Sequence, residues 1–516
     1  MTEHRGGASI RTLPTGVPGL DDVLGGGLPE LSFNLIAGGP GSGKTTLAHQ
    51  IVFANATAER PALYFTILGE PPLKMLRYQQ GYSFFRPEMV NGVVRFLSLS
   101  QEVMQQGLPA VLDSVVRHVE AATPRLVVVD SFRSAIRTTD GIDRGDMEVQ
   151  DFVQRLALHL AAWEATTFLV GEFTQPESRD HPVYTIADGL LALSQRIERN
   201  SVVRKLQVVK LRGQGQLPGL HSFRITGDGL RVFPRLPKPE EDERAPRDLP
   251  DAPIPARERL STGVAGLDEM LDGGIPRGYS VLVAGPSGSG KTVLAAQFIA
   301  EGVRQGEPGV IAVFEKRPAG YLRTTSLGLD LERMIQDRRL AVVYLRPLDL
   351  SVDETLYELR EAITRIGATR VAIDSLSGFE MAVSPGFRED FRESLYRLVG
   401  VLTSLGVTVV MTLEIEDSYG ELRLGPRENA FLADAIILQR YVEIQGQLKR
   451  LMAVVKVRAS RHSKALRLYE VASGGLVVDG TAPPYQGLLT GNPRTNSVAP
   501  APVVDPTRQR APRRKS

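Results

Sequence analysis

The sequence predicts two tandem α/β domains, each a largely parallel β-sheet with helices on both faces. The first observation behind this prediction is an internal repeat: residues 15–50 align without a gap on residues 262–297, with about twenty of about thirty-six positions identical. The second is the pattern within each copy, where short apolar runs alternate with segments of helical periodicity. Continuous apolar runs that end in a polar residue are typical of buried parallel strands, whose carboxyl ends carry functional groups.

The repeat continues far beyond its first segment. The stretch "LVVVDS" (126–131) parallels "RVAIDS" (370–375), and "VVKLRG" (208–213) parallels "VVKVRA" (454–459). A chain of 516 residues is also too long for one hydrophobic core, so more than one domain is expected. We therefore interpret the chain as one domain duplicated in tandem.

The domain boundaries follow from changes in composition. We expect a first domain at 1–233, a linker at 234–258, a second domain at 259–492 and a disordered basic tail at 493–516. Proline and charge dominate the linker, which predicts an extended, solvated segment. The tail is rich in proline and polar residues. Its terminal arginines and lysine could bind nucleic acid or an acidic partner, although a solubilising role is the simpler interpretation.

Composition excludes several classes of site. The chain has no cysteine, which rules out disulfides, thiolate metal sites and cysteine nucleophiles. The net charge of +2 gives no overall case for a polyanionic partner. The start of the chain has no apolar core like that of a signal peptide, and no apolar run is long enough to span a membrane. These features favour a water-soluble, cytoplasmic protein.

A glycine-rich loop closed by lysine and threonine occurs once in each copy, as "GGPGSGKT" (38–45) and "GPSGSGKT" (285–292). Glycines allow successive backbone N–H groups to point at phosphates, and the helix that follows adds its positive dipole end. The lysine should reach the β- and γ-phosphates, and the threonine hydroxyl should ligate Mg²⁺. The predicted ATP-binding residues of the loops are Gly38, Gly39, Pro40, Gly41, Ser42, Gly43, Lys44, Thr45, Gly285, Pro286, Ser287, Gly288, Ser289, Gly290, Lys291 and Thr292.

Carboxylates at the ends of other apolar strands complete the predicted chemistry. Asp130 and Asp374 end the strands "LVVVD" and "VAID", and with Thr45 and Thr292 they are the candidate Mg²⁺ residues.

Hydrolysis also needs a group that orients and activates water. Glu315 ends the strand "VIAVFE" and is placed for this role. In the first copy Glu70 is the only carboxylate nearby, one or two residues later and followed by Pro71, so a loop-starting acid is a competing interpretation. Glu172 and Glu414 end the next strand of each copy, where they could polarise water or cap the sheet.

With these residues in place, the chain resembles the KaiC family, double-domain RecA-like ATPases of the cyanobacterial circadian clock, and the wider KaiC-like group. The resemblance runs from about Leu13 to about Arg494. It rests on the lead-in "TGVxGLDxxLxGGxP", the two loops, the two aspartate strands and the two "VVKxR" segments. It implies two tandem RecA-like P-loop domains, ATP with Mg²⁺ as substrate, and a double-ring homohexamer with ATP at the subunit interfaces.

The resemblance also implies roles for basic residues. Lys210 and Arg212 in the first copy, and Lys456 and Arg458 in the second, match residues that reach a neighbouring subunit's nucleotide and neutralise developing phosphate charge. A solvated strand face is the alternative interpretation. Further matches to nucleotide-contacting positions of the family's second domain are Ser460, His462 and Lys464. The first copy has Gln214 and Gln216 there, which leaves its ribose and base contacts open.

Two departures from the family pattern bear on function. The family has two adjacent glutamates where this chain has Glu315-Lys316 in the second copy and Leu68-Gly69-Glu70 in the first. Its autophosphorylated Ser-Thr pair is replaced by Ala430 and Phe431, which have no hydroxyl to accept a phosphoryl group. Ser418 and Tyr419 lie nearby in sequence, but nothing in the sequence places them beside a γ-phosphate.

These observations favour a hexameric, Mg²⁺-dependent ATPase that acts as a nucleotide-driven switch for protein partners. Three alternatives stay open: an autokinase that uses another hydroxyl, a RecA-like DNA motor or recombinase, and a nucleotide-gated scaffold without hydrolysis. The segments 137–146 and 388–400 are near neutral or mixed in charge, which disfavours a nucleic-acid partner.

Overall fold

A computed structural model describes most of the chain. The described residues are 11–67, 72–130, 151–159 except 153, 164–172, 185–198, 201–235, 258–314, 317–325, 328–345, 351–382, 391–415, 433–481, 485–488 and 494–495. They divide into two compact units, the first mainly from residues before 243 and the second mainly from those after it.

The first unit is built on a nine-stranded sheet with the strand order β11-β10-β9-β8-β3-β7-β6-β4-β5. The strands from β8 to β5 along this order run parallel, and β8, β9, β10 and β11 pair antiparallel. The strands are β1 Thr12–Leu13, β2 Leu28–Pro29, β3 Phe33–Gly38, β4 Ala62–Thr66, β5 Val94–Ser98, β6 Leu126–Asp130, β7 Thr166–Gly171, β8 Gly189–Glu198, β9 Ser201–Leu211, β10 His221–Thr226 and β11 Gly229–Phe233. The helices are α1 Leu20–Leu24, α2 Lys44–Asn55, α3 Pro72–Gln79 and α4 Ser100–Ala122.

The second unit repeats this plan, with a nine-stranded sheet in the order β16-β15-β17-β18-β14-β19-β20-β21-β22. Its strands are β12 Arg259–Leu260, β13 Ile275–Pro276, β14 Ser280–Gly285, β15 Gly309–Val313, β16 Leu340–Tyr344, β17 Arg370–Asp374, β18 Thr408–Glu414, β19 Ala435–Ile444, β20 Gln447–Val457, β21 Arg467–Ala472 and β22 Gly475–Thr481, followed by the short pair β23 Tyr485–Gln486 and β24 Arg494–Thr495. Its helices are α5 Ala265–Met270, α6 Lys291–Arg304, α7 Pro318–Thr325, α8 Leu331–Gln336, α9 Val352–Ile366, α10 Leu376–Ala382 and α11 Phe391–Ser404.

The central strands are buried on both faces, as their continuous apolar sequences predict. In the first unit, Ile36 and Val128 belong to one buried cluster, whereas Leu35 and Val129 belong to a second cluster. This alternation is the period-2 pattern of a strand covered on both sides. The predicted fold class of two tandem, largely parallel α/β domains is therefore confirmed.

The predicted boundaries stay predictions, because nearly all of the linker and the tail lies outside the described residues. Arg494 and Thr495, which the sequence assigns to the tail, instead pair as a short strand with Tyr485 and Gln486. Over the part of the chain that the structure describes, no helix combines the length and apolar character needed to cross a membrane.

Candidate nucleotide-binding sites

Each glycine-rich loop lies between the central strand of its sheet and a long buried helix. In the first unit, β3 ends at Gly38 and α2 begins at Lys44. Gly43 lies immediately before the helix with φ 97°, a left-handed conformation that strongly favours glycine. The buried Lys44 donates a hydrogen bond from Nζ to the carbonyl oxygen of Gly39 at 2.8 Å. The lysine ammonium is therefore held over the loop.

The second loop repeats this geometry. Gly290 has φ 101° at the start of α6, and Lys291 Nζ donates to the carbonyl oxygens of Gly285 and Pro286 at 2.8 and 2.7 Å. The structure therefore brings the residues of each loop together in the arrangement that the sequence predicts for a phosphate cradle.

Asp130 lies directly beside the first loop. It is 6% exposed, and its Oδ2 accepts hydrogen bonds from Thr45 Oγ1 at 2.9 Å and from Tyr64 OH at 2.7 Å. Burial raises the pKa of the Asp130 carboxyl, while the hydrogen bonds from Tyr64 and Thr45 and the charge of Lys44 oppose that rise. The prediction pairs Asp130 with Thr45, and the structure places them in contact.

Asp374 holds the same place in the second unit with different partners. Its Oδ1 accepts a hydrogen bond from Thr412 Oγ1 on β18. Burial and the nearby Asp374 carboxylate raise the pKa of Tyr321, a buried tyrosine on α7. Each aspartate therefore has a tyrosine close by, but Tyr64 comes from β4 of the sheet and Tyr321 from a helix.

Hydroxyl and carboxylate oxygens are the ligands that Mg²⁺ prefers, and Mg²⁺ with a nucleotide usually takes only one or two protein carboxylates. Thr45 with Asp130 therefore fits this ion, and Asp374 supplies the matching carboxylate of the second unit. Within the described ranges, no group of three or more acidic or histidine side chains could hold a metal by itself.

Glu172 belongs to the first site. It follows β7. Burial lowers the pKa of the Lys44 ammonium, and the negative charge of Glu172 opposes part of that shift. Glu414, its counterpart in sequence, is the exposed last residue of β18. The sequence gives these two glutamates the same alternatives, and the structure shows them in different surroundings.

The two loops are anchored differently, which the sequence reasoning missed. In the second unit, Tyr469 OH donates to the carbonyl oxygen of Ser289 at 2.6 Å, and Ser289 Oγ donates to Gln439 Oε1 at 3.0 Å. The sheet register places Phe223 and Leu193 at the positions of Tyr469 and Gln439 in the first unit.

The counterpart of Ser289 in the first unit is Ser42. Its hydroxyl is buried and has no hydrogen-bond partner among the described residues. The Phe223 and Leu193 side chains carry no hydrogen-bonding group, so the first loop lacks both of these side-chain anchors. Comparing the two copies residue by residue could have revealed this difference.

The four basic residues at the ends of β9 and β20 form matching contacts; Lys210 and Lys456 lie within these strands, and Arg212 and Arg458 follow directly after them. Lys210 Nζ donates to the carbonyl oxygen of Thr185 at 3.0 Å, and Arg212 contacts the same oxygen and Asp188. In the second unit, Lys456 Nζ donates to the carbonyl oxygen of Ala433 at 2.9 Å and Arg458 contacts Asp434. Arg212 and Arg458 are exposed. Action on a neighbouring subunit's nucleotide stays a prediction.

Gln214 and Ser460 hold the same position but have different roles in the fold. Gln214 Nε2 donates to the carbonyl oxygens of Leu24 and Gly27.

In the second unit, the equivalent carbonyl oxygens of Leu271 and Gly274 accept from Arg259, whose guanidinium also donates to Ser460 Oγ at 2.6 Å. In the first unit, by contrast, the Gln214 amide already binds the backbone carbonyl oxygens of its own domain. Gln216 similarly donates to the carbonyl oxygen of Val208 at 3.0 Å. His462 is half-buried and Lys464 exposed, and their predicted ribose and base contacts stay predictions.

The candidate water-activating residues Glu315 and Glu70, and residues 418, 419, 430 and 431, lie outside the described residues. The strand register still fixes their sequence correspondence. Thr66 pairs with Asp130 and Val313 pairs with Asp374. Counting two residues onward from these equivalent positions makes Leu68 the counterpart of Glu315 in the alignment of the two copies. Glu70 comes two residues after Leu68. The two copies therefore differ in sequence at the predicted catalytic position.

Comparisons with known proteins agree with this geometry. The KaiC ATPase family matches residues 13–237 and 260–482. The circadian clock oscillator protein KaiC of Picosynechococcus sp. is 28% identical over 499 residues, covering 95% of this chain and 93% of that protein. KaiC of Prochlorococcus marinus is 28% identical over 505 residues, covering 96% and 98%. KaiC of Synechococcus elongatus is 27% identical over 501 residues, covering 95% and 93%.

Proposed function

The chain belongs to the KaiC family of ATPases, and from that premise we propose that it is a Mg²⁺-dependent ATPase that works as a hexameric, nucleotide-driven switch for protein partners in signalling or clock-type regulation. The observation that carries the proposal is that each unit has a buried loop lysine and a buried strand-end aspartate at the same edge of its sheet. Lys44 with Asp130, and Lys291 with Asp374, lie at the carboxyl ends of parallel strands, where such sheets bind their ligands.

The chain's own residues divide the work of phosphate binding. The lysine ammonium and the backbone N–H groups of each loop bind phosphate oxygens, and the start of the following helix adds its dipole. Thr45 and Asp130 would hold the Mg²⁺ ion in the first unit, and Thr292 and Asp374 in the second. When bound, that ion would neutralise charge on the phosphates.

The positions of the basic residues support the proposal that ATP drives hexamer formation. Lys210 and Lys456 lie near the ends of β9 and β20, beyond the central part of each sheet. Arg212 and Arg458 follow these strands and are exposed. A cation supplied by a neighbouring subunit would make hydrolysis depend on assembly.

Sedimentation with ATP, with ADP and without nucleotide tests this proposal. We expect larger particles with ATP, and a monomer under all three conditions would contradict the shared site.

The two units should not hydrolyse ATP equally. Glu315 comes two residues after β15 in the sequence, and Leu68 comes two residues after β4. The second copy therefore has a carboxylate at the position proposed for activating water, and the first copy has none there. A positioned general base contributes about 10²–10⁴-fold in rate. In a Lys44→Ala protein, where only the second unit binds ATP, Glu315→Gln should remove most phosphate release. Unchanged release would assign hydrolysis to another group.

An autokinase activity at residues 430–431 is not expected, because Ala430 and Phe431 carry no hydroxyl. Incubation with γ-labelled ATP should release labelled phosphate and leave little label on the protein. Stoichiometric protein-bound label, for instance on Ser418, would instead support a kinase that uses another hydroxyl.

A further inference from the structure

Asp130 of the first unit is oriented by two hydroxyl groups at one oxygen. Tyr64 OH and Thr45 Oγ1 both donate to Asp130 Oδ2, at 2.7 and 2.9 Å. The terminal torsion of an aspartate is soft, so donors at one oxygen decide which way the other oxygen faces. Thr45 itself is a candidate metal residue. Tyr64 is therefore the orienting group that stands outside the predicted phosphate and metal contacts.

His49 holds both donors in place. Its ring stacks on the Tyr64 ring with centroids 4.5 Å apart and planes 4° apart. Its Nδ1 lies 2.8 Å from the carbonyl oxygen of Thr45 and must donate the proton, because a carbonyl oxygen can only accept. Phe96 lies 5.2 Å from the Tyr64 ring and 5.9 Å from the His49 ring, and His49 is fully buried. The tyrosine hydroxyl is thus aimed by packing around its ring.

This arrangement belongs to one copy only. The positions of His49 and Tyr64 are occupied by Ala296 and Ile311 in the second copy. The second copy has Thr412 on the neighbouring strand, which donates to Asp374, at a position where the first copy has Val170. Asp374 also has a tyrosine beside it, but this residue is Tyr321 on helix α7. The duplication has therefore preserved the aspartate while changing the side chains that orient it.

We propose that Tyr64, held by the stacked His49, is a positioning residue that sets the orientation of Asp130 for the Mg²⁺ ion bound with ATP in the first unit. Groups that hydrogen-bond a metal ligand fix its orientation, and their removal lowers metal affinity about 10–100-fold. This inference rests on the proposed function. It adds that the two sites of one chain depend on different side chains for their cation.

The test uses Tyr64→Phe in the full chain carrying Lys291→Ala, so that only the first unit binds nucleotide. Binding of a fluorescent ATP analogue is measured in one sample that contains EDTA, and in a second sample without EDTA that is titrated with MgCl₂. For Tyr64→Phe we expect the midpoint of the titration, the Mg²⁺ concentration that gives half of the Mg²⁺-dependent increase in analogue binding, to rise about tenfold. Binding of the analogue in EDTA should not change. His49→Phe keeps a stacked ring without the Nδ1 hydrogen bond, and it should raise the midpoint by a smaller factor.

The second unit provides the matched control. In the full chain carrying Lys44→Ala, Tyr64→Phe should leave the Mg²⁺ midpoint unchanged, whereas Thr412→Val should raise it. An unchanged midpoint for Tyr64→Phe in the first unit would overturn the proposal, and so would an equal loss of binding with and without Mg²⁺, which marks a merely structural residue. Failure of the Lys291→Ala parent to bind the analogue at all would instead overturn the proposed function of the first unit, and this inference with it.

Discussion

Lowering the pH from about 7.5 to about 5 should destabilise the first unit through one side chain, His49. Burial lowers the pKa of its imidazole from 6.5 to about 4, although the hydrogen bond to the Thr45 carbonyl oxygen opposes part of that shift. Between these two values the unfolded chain binds a proton on His49 and the folded chain does not. The free energy of unfolding therefore falls as the pH drops through this window.

The size of the effect follows from the two pKa values. One pKa unit corresponds to about 1.4 kcal/mol, so the full difference amounts to about 3 kcal/mol. About 2 kcal/mol of this is already lost at pH 5, because the folded-state pKa lies about one unit lower. The substitution that removes the titrating group is His49→Leu, which replaces the imidazole with an apolar side chain of similar size. Ala296 holds the equivalent position in the second copy and cannot titrate.

The assay is urea unfolding followed by tryptophan fluorescence. Trp163 is the only tryptophan of the chain and lies in the sequence of the first copy, so its emission reports on that unit. The measured quantity is the difference in unfolding free energy between the original protein and His49→Leu at the two pH values, which cancels other titrating groups. This difference should change by about 2 kcal/mol in favour of the variant at pH 5. A difference independent of pH would refute the reasoning.

Three further predictions concern the second unit and the loops. Gly302→Ala in α6 should lower the stability of the second unit by about 1–3 kcal/mol, because a Cβ there would lie 2.4 Å from Cδ of the fully buried Arg370. Gly320→Ala, whose Cβ would meet nothing within 4 Å, is the control; because Trp163 reports on the first unit, the urea unfolding of these variants is followed by far-UV circular dichroism, and equal stabilities of the two variants would contradict the overlap. Tyr469→Phe should weaken ATP-analogue binding by the second site several-fold, because it removes the 2.6 Å hydrogen bond to the Ser289 carbonyl oxygen; binding as tight as before would mean that this anchor does not hold the loop. Lys44→Ala and Lys291→Ala should each remove one bound nucleotide per chain in equilibrium dialysis, since a charge-assisted hydrogen bond contributes about 1.5–3 kcal/mol. If either variant keeps the full number, ATP binding in that unit does not need the lysine.

Much of each site could be predicted from sequence because its parts are local. A glycine-rich loop between an apolar strand and a helix is a continuous segment, and its chemistry depends on spacing along the chain. Asp130 and Asp374 were also found, since each ends an apolar strand and the carboxyl ends of parallel strands meet at one edge of the sheet. The duplication strengthened every one of these predictions.

The residues that distinguish the two sites escaped the sequence reasoning. Tyr64 is 66 positions from Asp130, and Tyr469 is 180 positions from Ser289. Tyr64 lies within the apolar strand β4, and Tyr469 lies at the buried position of the mixed strand β21. At both places an aromatic residue is readily interpreted as part of the core. The interpretation of Gln214 was left open for the same reason, since its bonds to Leu24 and Gly27 span about 190 positions.

The sequence alone determined that this chain has two copies of one domain, where their phosphate loops lie and which aspartates end the neighbouring strands. These features follow from spacing and periodicity, which a linear chain displays directly. Only the tertiary structure decided which side chains hold those groups in place. The sheet order brings β4 beside β6 in the first unit and β21 near the loop in the second, so distant residues become hydrogen-bond partners. Hydrogen bonds act over about 3 Å of space whatever their separation in sequence, and for this reason the hydrogen-bond partners that hold each site in place emerged only once the chain was folded.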